Sequence, residues 1–493
     1  MGCKLMPRDE LKTFFAPRSI AIVGVSRADY VFGGTSFLLK FQEAGFPGRL
    51  YPVNPEADEI CGIKAYPSLS SLPEVPDLVM VCIAAPHVPA LLEECGRIGA
   101  RHIHILTSGF NELGTEQGRL LEQRIASIAR EKGLMIIGPN CMGPYSPAAG
   151  LTAWGAVPGA RGPLGVISQS GSITQRLTEC AFSLGVGTDK AVSVGNGTVL
   201  GSLDFLEFMG EDDGIRVIAM YIEGIQDGER FFQLAREISK RKPIVVWKGG
   251  ESEAGARTAA SHTGGMAGEG RIWEAALRQT GVTQVRSLEE WVDAVLAFAF
   301  LPAPQGRGVF IIGVGGGNSV VYTDACVREG LAVPVPAEAT MEKLRQTVPA
   351  AGSIAGNPLD DWQTLLSPVY FGSILELAYE DPGTSMVLVD RIIPRKAFHL
   401  PKVPDPTPEM IAQVRNKGLR KPTVFTVEAG GGDAELASQG AALQAGLSKE
   451  KLPAYPSVQR AARALMHLYR YHAWRSPRSL SASRGRGKKN EHD

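Results

Sequence analysis

The chain has 493 residues, with 51 Lys and Arg against 51 Asp and Glu, 44% hydrophobic residues and 21% charged residues, a composition typical of a globular protein of roughly three domains. A formal net charge of zero removes the basic field expected of a nucleic-acid-binding chain, and no apolar run reaches the ~18 residues that a membrane span requires. The 57 glycines, together with only 7% aromatic residues, favour α/β architecture over a β-sandwich.

The first 145 residues alternate short apolar runs, Gly-containing turns and amphipathic segments. The apolar runs are rich in Ile and Val, which is typical of parallel strands buried on both faces of a sheet. They read SIAIVGVS, GRLYPVNP, DLVMVCIAAP, ARHIHILTSGF and GLMIIGPNCMG. We therefore expect residues 10–145 to form a doubly wound domain, and we expect the Gly-, Pro- and Ala-rich residues 143–163 to form a connector.

The same alternation returns twice in the rest of the chain. The runs GVISQSGS, AVSVGNG, IRVIAMYIEGI and KPIVVWKGG, followed by the helical pattern SLEEWVDAVLAFAF, predict a second parallel-sheet domain over residues 160–300. The segment GVFIIGVGGGNSVVYTDACVREGLAV then repeats the order of strand, Gly-rich turn and helix, which predicts a third such domain over residues 305–474. Residues 475–493 are basic and almost free of apolar side chains, so we expect a disordered tail.

The cysteines and the amino-terminal segment bear on compartment and metal binding. The seven cysteines show no C-x-x-C or other paired spacing, which predicts neither a disulfide framework nor a metal site. The first ten residues, MGCKLMPRDE, contain no apolar signal core. We expect a cytoplasmic protein that itself binds no metal.

The turn after the first strand is the first candidate site. Gly24, Ser26 and Arg27 precede an amphipathic segment, so backbone amides and a helix N-terminus could face an anionic phosphate. A nicotinamide enzyme would place Asp or Glu at the end of the second strand, whereas this strand ends in Asn54 and Pro55. The pattern predicts a nucleotide-type ligand other than NAD. The alternative is a turn required only for helix–sheet packing.

His262 is the second candidate, in a run of small residues that offers little to bury it, EAGARTAASHTGGMAGEG. Such a loop can approach a bulky ligand or move, as a nucleophile that carries a phosphoryl or acyl group must. A nucleophilic imidazole needs a carboxylate on its other nitrogen, and Glu223, after the run IRVIAMYI, is a candidate for that role or else a surface turn residue. The hydroxyl-rich turn at residues 168–172 could receive phosphate.

Several segments together resemble the nucleoside-diphosphate-forming acyl-CoA synthetases, whose α part is related to the succinyl-CoA synthetase α subunit. They follow one another in the family's order over residues 10–470: SIAIVGVSR, YPVNPEADEICGIKAYPS, ILTSGFNELG, GPNCMGP, ISQSGS, SVGNG, YIEGIQDG and ARTAASHTGGMAG. The resemblance implies a Rossmann-like CoA-binding domain followed by two flavodoxin-like domains of the succinyl-CoA-synthetase type. The implied activity interconverts acyl-CoA, ADP and phosphate with a carboxylic acid, CoA and ATP.

The resemblance also implies the roles of individual residues. His262 would be phosphorylated on a mobile loop, and Glu223 would orient it. Phosphate would be bound by Ser170, Gly171, Ser172, Gly264 and Gly265. Coenzyme A, as a substrate, would lie along Gly24, Ser26, Arg27, Asn54, Pro55, Ile83, Ala84, Pro86 and Ser108, with Asn140 and Cys141 near its thiol end.

The nucleotide site of the family belongs to an ATP-grasp module, which has no counterpart after residue 310. The resemblance therefore implies a separate ATP-grasp β subunit that binds ADP or ATP with Mg²⁺, in an α2β2-type assembly. The segments GVGGGNS, NPLDDW and TVLGSLDFLEF depart from the family pattern. These departures leave open a catalytically inactive CoA-binding regulatory or scaffold protein of the same fold, while Asn54 disfavours a nicotinamide oxidoreductase.

Overall fold

The computed structural model describes residues 8–26, 33–152, 154, 161–255, 257, 270–313, 315–391, 407–429 and 432–476. The chain divides into two compact units. The first comprises Met1–Phe182 and Gly187–Ser287, and the second comprises Ser183–Val186 and Leu288–Asp493. None of the helices described combines the length and the apolarity needed to cross a bilayer.

The first sheet of the first unit is fully parallel, with strand order β2-β1-β5-β6-β7. Its strands are β1 (Ser19–Val23), β2 (Arg49–Val53), β5 (Leu78–Val81), β6 (His102–Ile105) and β7 (Met135–Ile137). A small hairpin, β3 (Glu59–Ile60) and β4 (Ile63–Lys64), follows β2. The helices are Arg8–Phe15, Gly34–Glu43, Val88–Ile98 and Glu116–Lys132. Every residue of β1 and β5 is buried, as expected of strands covered on both faces.

The second sheet of this unit has the order β13-β12-β11-β9-β10-β8. Its parallel strands are β9 (Leu164–Ser168), β10 (Thr188–Ser193), β11 (Val217–Ile222), β12 (Ile244–Lys248) and β13 (Thr283–Val285). The described helices are Gly171–Ser183, Ser202–Glu211, Gly228–Ser239 and Gly270–Thr280. The expectation of a connector over residues 143–163 is wrong at its start, because β8 (Gly143–Tyr145) pairs antiparallel with β10. Pro144 is tolerated there because an edge strand can lack one N–H donor.

The second unit holds a parallel sheet with the order β15-β14-β16-β17-β18. The strands are β14 (Val309–Gly313), β15 (Leu359–Asp360), β16 (Met386–Asp390), β17 (Thr423–Thr426) and β18 (Ala454–Tyr455). The helices are Leu288–Phe300, Gly316–Glu329, Glu338–Thr347, Gln363–Leu366, Pro368–Glu380, Thr407–Lys417, Ala434–Lys449 and Val458–Arg475. The α/β class and the parallel sheets expected from the sequence are confirmed.

Helix Leu288–Phe300 packs against helix Val458–Arg475 within the second unit. The guanidinium of Arg460 donates to the two carboxylate oxygens of Asp293 at 2.7 and 2.8 Å. The side chain of Asp293 is only 5% exposed, so the carboxylate of this ion pair is largely shielded from water. The sequence predicts that helix Leu288–Phe300 closes the domain over residues 160–300. In the structure this helix packs against helix Val458–Arg475 of the following domain.

Candidate functional site

The turn after β9 folds around the hydroxyl of Ser168. This hydroxyl accepts a hydrogen bond from the backbone N–H of Ser170 at 3.0 Å and donates to the carbonyl of Ser170 at 2.8 Å. The Oγ atoms of Ser170 and Ser172 lie 3.2 Å apart, and helix Gly171–Ser183 begins between them. Two hydroxyls and the N-terminus of a 13-residue helix therefore meet at the carboxyl end of β9, an arrangement suited to an anion.

Gln169 ties this turn to the end of the neighbouring strand β11. Its Oε1 accepts from the backbone N–H groups of Glu223 at 2.5 Å and Gly224 at 3.1 Å, and its Nε2 donates to the carbonyl of Gly224 at 2.9 Å. Because all three bonds are made to the backbone, Gln169 fixes where Glu223 leaves the sheet. This role of Gln169 was not predicted, although the residue lies within the hydroxyl-rich turn at residues 168–172.

Glu223 is buried at 8% exposure, which excludes the surface-turn alternative. The hydroxyl of Tyr221 is hydrogen-bonded to the Glu223 carboxylate, and burial together with that negative charge raises the pKa of Tyr221 to about 12. The ammonium of Lys248, at the end of β12, donates to the backbone carbonyl of Glu223 at 2.8 Å. The carboxyl ends of β9, β11 and β12 thus hold a compact polar cluster, where parallel sheets usually bind ligands.

Four of the predicted site residues lie outside the described part of the chain. They are Arg27, His262, Gly264 and Gly265. Their roles stay predictions.

The turn after β1 is held close to the end of β5. Gly24 has φ +96°, and a Cβ placed there would lie 2.5 Å from the carbonyl oxygen of Cys82. The backbone N–H of Ser26 donates to Oγ1 of Thr35, and that hydroxyl donates back to the carbonyl of Ser26, both at 3.0 Å. Oγ of Ser26 is buried and has no hydrogen-bond partner among the described residues. A buried hydroxyl without a described partner, in the turn after β1, fits the polar groups of a nucleotide-type ligand.

Asn54 braces the Gly24 turn from the end of β2. Its Nδ2 donates to the carbonyl of Val25 at 2.7 Å, and its Oδ1 accepts from the N–H groups of Glu56 at 2.8 Å and Ala57 at 3.1 Å. The amide is therefore used in shaping the loop rather than presented to a ribose, which agrees with the prediction of a ligand other than NAD. Pro55 follows it on the exposed surface.

The other predicted coenzyme A contacts follow β5 and β6 at the same edge of the sheet. Oγ1 of Thr107 donates to the carbonyl of Ile83 at 2.7 Å and joins the two loops. Ala84, Pro86 and Ser108 are exposed. A surface formed by the loops after four neighbouring strands is thus open to a ligand at the carboxyl edge, as the doubly wound fold predicts.

Asn140 and Cys141 lie after β7 and differ in exposure, because Asn140 is half-buried and Cys141 is buried. Asn140 has φ 60°, and its Nδ2 is 3.5 Å from Oδ1 of Asn196, a residue of the second sheet's domain. Cys141 is buried, and burial raises the pKa of its thiol far above the ordinary value. Cys141 therefore cannot supply a reactive thiolate, because low-pKa cysteines lie in exposed electropositive sites.

Asn196 connects the domain of the second sheet with the domain of the first sheet inside the first unit. Its Nδ2 donates to Oε2 of Glu112 and to Oε2 of Glu122, each at 2.7 Å. Beneath this junction, His104 is fully buried with Nε2 3.1 Å from the carbonyl of Cys141, and burial lowers the pKa of His104 to about 4. A neutral His104 supports the loop of residues 138–143. Within the described residues, no group of His, Cys, Asp and Glu side chains is arranged to hold a metal ion.

Three family models match successive parts of the chain. Residues 18–147 match a CoA binding domain, residues 161–298 a succinyl-CoA ligase like flavodoxin domain, and residues 309–478 a Ligase-CoA domain. The expected order of a Rossmann-like domain and two flavodoxin-like domains is thereby supported.

Solved and curated proteins agree with these matches. The structure of a dinucleotide forming acetyl-coenzyme A synthetase 1 from Ca. Korarchaeum cryptofilum, in complex with phosphate and ADP, superposes with a TM-score of 0.83 at 30% identity, covering 97% of this chain and 99% of that one. A trans-feruloyl-CoA synthase from an unknown prokaryotic organism is 30% identical over 95% of this chain and 66% of its own length.

The alpha subunit of the Pyrococcus furiosus acetate--CoA ligase [ADP-forming] I is 35% identical over 94% of this chain and 98% of its own length. With that identity across nearly the whole of both chains, this chain belongs to the family of the alpha subunits of ADP-forming acyl-CoA ligases.

Proposed function

We propose that the chain acts as the α subunit of an ADP-forming acyl-CoA synthetase that works through a phosphorylated His262. The observation that carries the proposal is the Gln169 bridge, which holds the Ser168–Ser172 turn and the buried Glu223 at one edge of the second sheet. A phosphate-type turn beside a carboxylate able to orient an imidazole is the pair of features that phosphohistidine chemistry requires.

The reaction that we propose has three transfers. A phosphate oxygen attacks the thioester carbonyl of acyl-CoA, the C–S bond breaks, and the CoA thiolate leaves with an acyl phosphate remaining. A nitrogen of neutral His262 attacks the phosphorus, and the carboxylate of the free acid leaves. The phosphoryl group then passes from His262 to ADP and gives ATP. In the reverse direction the same steps activate the acid.

Coenzyme A would bind at the carboxyl edge of the first sheet. The hydroxyl of Ser26, which is buried without a partner in the described part of the chain, and the tight turn at Gly24 support this assignment. Asn54 would shape the loop, and Asn140 would lie near the thiol, on the side where it meets Asn196. The proposed thioester end would then lie next to the domain that carries the phosphate turn.

Nucleotide binding would be supplied by a separate ATP-grasp β subunit that carries ADP or ATP with Mg²⁺, in an α2β2-type assembly in the cytoplasm. In support, the Pyrococcus furiosus relative is itself named as a subunit alpha, and this chain covers 98% of it. The acyl group is not assigned, because the names of the relatives range from acetate to trans-ferulate.

The test is phosphate transfer to the protein. The purified chain and its His262→Ala variant are incubated, with and without a co-purified β subunit, with ³²P-labelled phosphate and a panel of acyl-CoAs. We expect acid-labile, base-stable label on the wild type only, together with CoA affinity unchanged in the variant. Label that persists in His262→Ala, or CoA binding without any label in the complete complex, would reject the proposal and favour a CoA-binding regulator.

A further inference from the structure

Lys248 ends strand β12 as a buried cation. The residue is only 4% exposed, and its ammonium donates to the backbone carbonyls of Glu223, at 2.8 Å, and of Gly249. Nζ also lies 5.9 Å from the centre of the Trp273 ring. Among the described residues no carboxylate lies within ion-pair distance of Nζ, and the carboxylates of Glu251 and Glu223 attract its charge only from farther away. A buried charge without a direct ion pair costs free energy of folding, so its retention calls for another explanation.

The position of Lys248 supplies that explanation. Ile222 is the register partner of Lys248, so the ammonium stands beside the residue at which the chain leaves β11. The next residue is Glu223, whose carboxylate is bonded to Tyr221 and whose backbone is held by Gln169. A phosphate dianion brought to the same edge would be repelled by the Glu223 carboxylate, and at short range in a water-poor site that repulsion is large.

We propose that Lys248 is a positioning residue of the phosphoryl-transfer site, which fixes the Glu223 backbone and supplies the positive charge that lets phosphate and the Glu223 carboxylate occupy one edge together. This inference rests on the function proposed above. Lys248 would act in two ways, by holding the backbone of Glu223 and through the electrostatic field of its own ammonium. Burial lowers the pKa of Lys248 from its ordinary value, so its charge is lost at a lower pH than that of a surface lysine.

Lys242, just before the start of the same strand, provides a matched control. It is also partly buried, and its ammonium donates to the backbone carbonyls of Met209, at 3.2 Å, and of Asp212. Burial lowers the pKa of Lys242 as well. Because β12 runs for five residues at about 3.3 Å each, Lys242 lies at the edge opposite Glu223. Its loss should remove a similar set of hydrogen bonds without touching the proposed site.

The experiment compares Lys248→Met, Lys248→Arg and Lys242→Met with the wild type in the complete complex. The measurements are the initial rate of ³²P labelling against phosphate concentration and pH, the CoA affinity by calorimetry, and the thermal midpoint. For Lys248→Met we expect a loss of about 10–100-fold in kcat/KM for phosphate, expressed chiefly in KM. We expect partial rescue by Lys248→Arg, unchanged CoA affinity, and loss of the alkaline limb of the wild-type pH profile. Lys242→Met should label within about twofold of the wild type.

Three outcomes would overturn the inference. Labelling of Lys248→Met within about threefold of a labelled wild type would remove Lys248 from the site while leaving the proposed function intact. Equal loss of labelling in Lys242→Met, in step with its thermal midpoint, would mark both lysines as structural. An unlabelled wild-type complex would reject the proposed function, and the role of Lys248 would fall with it. Should Lys248→Met fail to fold, Lys248→Arg carries the comparison.

Discussion

Replacing Gly24 by alanine tests whether the turn after β1 is as tightly built as the structure shows. The φ of +96° costs a residue with a Cβ about 1–2 kcal/mol. The new Cβ would lie 2.5 Å from the carbonyl oxygen and 2.7 Å from the carbonyl carbon of Cys82, so backbone must move. Such overpacking adds about 1–3 kcal/mol. We expect Gly24→Ala to lower the free energy of unfolding by about 2–5 kcal/mol in total.

Gly45→Ala is the matched control, because Gly45 has φ +66° but a Cβ added there would meet no atom within 4 Å. It should cost about 1–2 kcal/mol, from backbone strain alone. The assays are urea-induced unfolding and calorimetric titration with coenzyme A. Because Gly24 leads directly to Ser26, we expect Gly24→Ala to weaken CoA binding by more than about tenfold, and Gly45→Ala to leave it unchanged. Equal stability and equal CoA affinity of the two variants would refute the argument.

Two further predictions concern buried charges in the second unit. Asp390 is 2% exposed, and burial raises its pKa to about 6, so wild-type stability relative to Asp390→Asn should fall by about 1–2 kcal/mol as the pH rises from 5 to 7.5. The stability falls because the unfolded carboxyl releases its proton at a lower pH than the folded one. Urea unfolding of both proteins at the two pH values measures the difference in their free energies of unfolding, and a difference that does not change with pH contradicts the prediction. Arg460→Met should cost about 3–5 kcal/mol by leaving Asp293 buried and unpaired, and Asp293→Leu in the same chain should recover most of that loss. Urea unfolding of both variants tests this, and a cost below about 1 kcal/mol would show that Asp293 is solvated.

Strands could be predicted from the sequence where a largely apolar run includes a glycine or lies next to one. β1, β9 and β14 are examples, and all their residues are buried. Several of the shortest strands could not be predicted. β8, β15 and β18 have two or three residues each, too few for any periodic pattern, and tertiary pairing alone makes them strands.

The candidate site was predictable at the positions that carry an unusual local pattern. Glu223 directly follows an apolar run. Asn54 stands at the end of the second strand, where a nicotinamide enzyme would have Asp or Glu. Gln169 and Lys248 were missed because their roles depend on contacts between strands that are more than 50 and more than 20 residues apart in the chain. One signal was available for Lys248, since a charged residue that directly ends an apolar strand interrupts an otherwise buried run.

Strand β8 has a consequence for how this polypeptide could be divided. It follows β7 of the first sheet, yet it completes the edge of the second sheet beside β10, and the residues after β7 are held by Asn196. If the gene were split just before β8, the residues after β7 would end the first product without their contact to Asn196. If it were split just after β8, the second product would lack the edge strand beside β10. A split after Ser287 instead follows the boundary between the compact units. Natural fission, fusion or shuffling of such genes should therefore occur at the boundary after Ser287 and not on either side of β8.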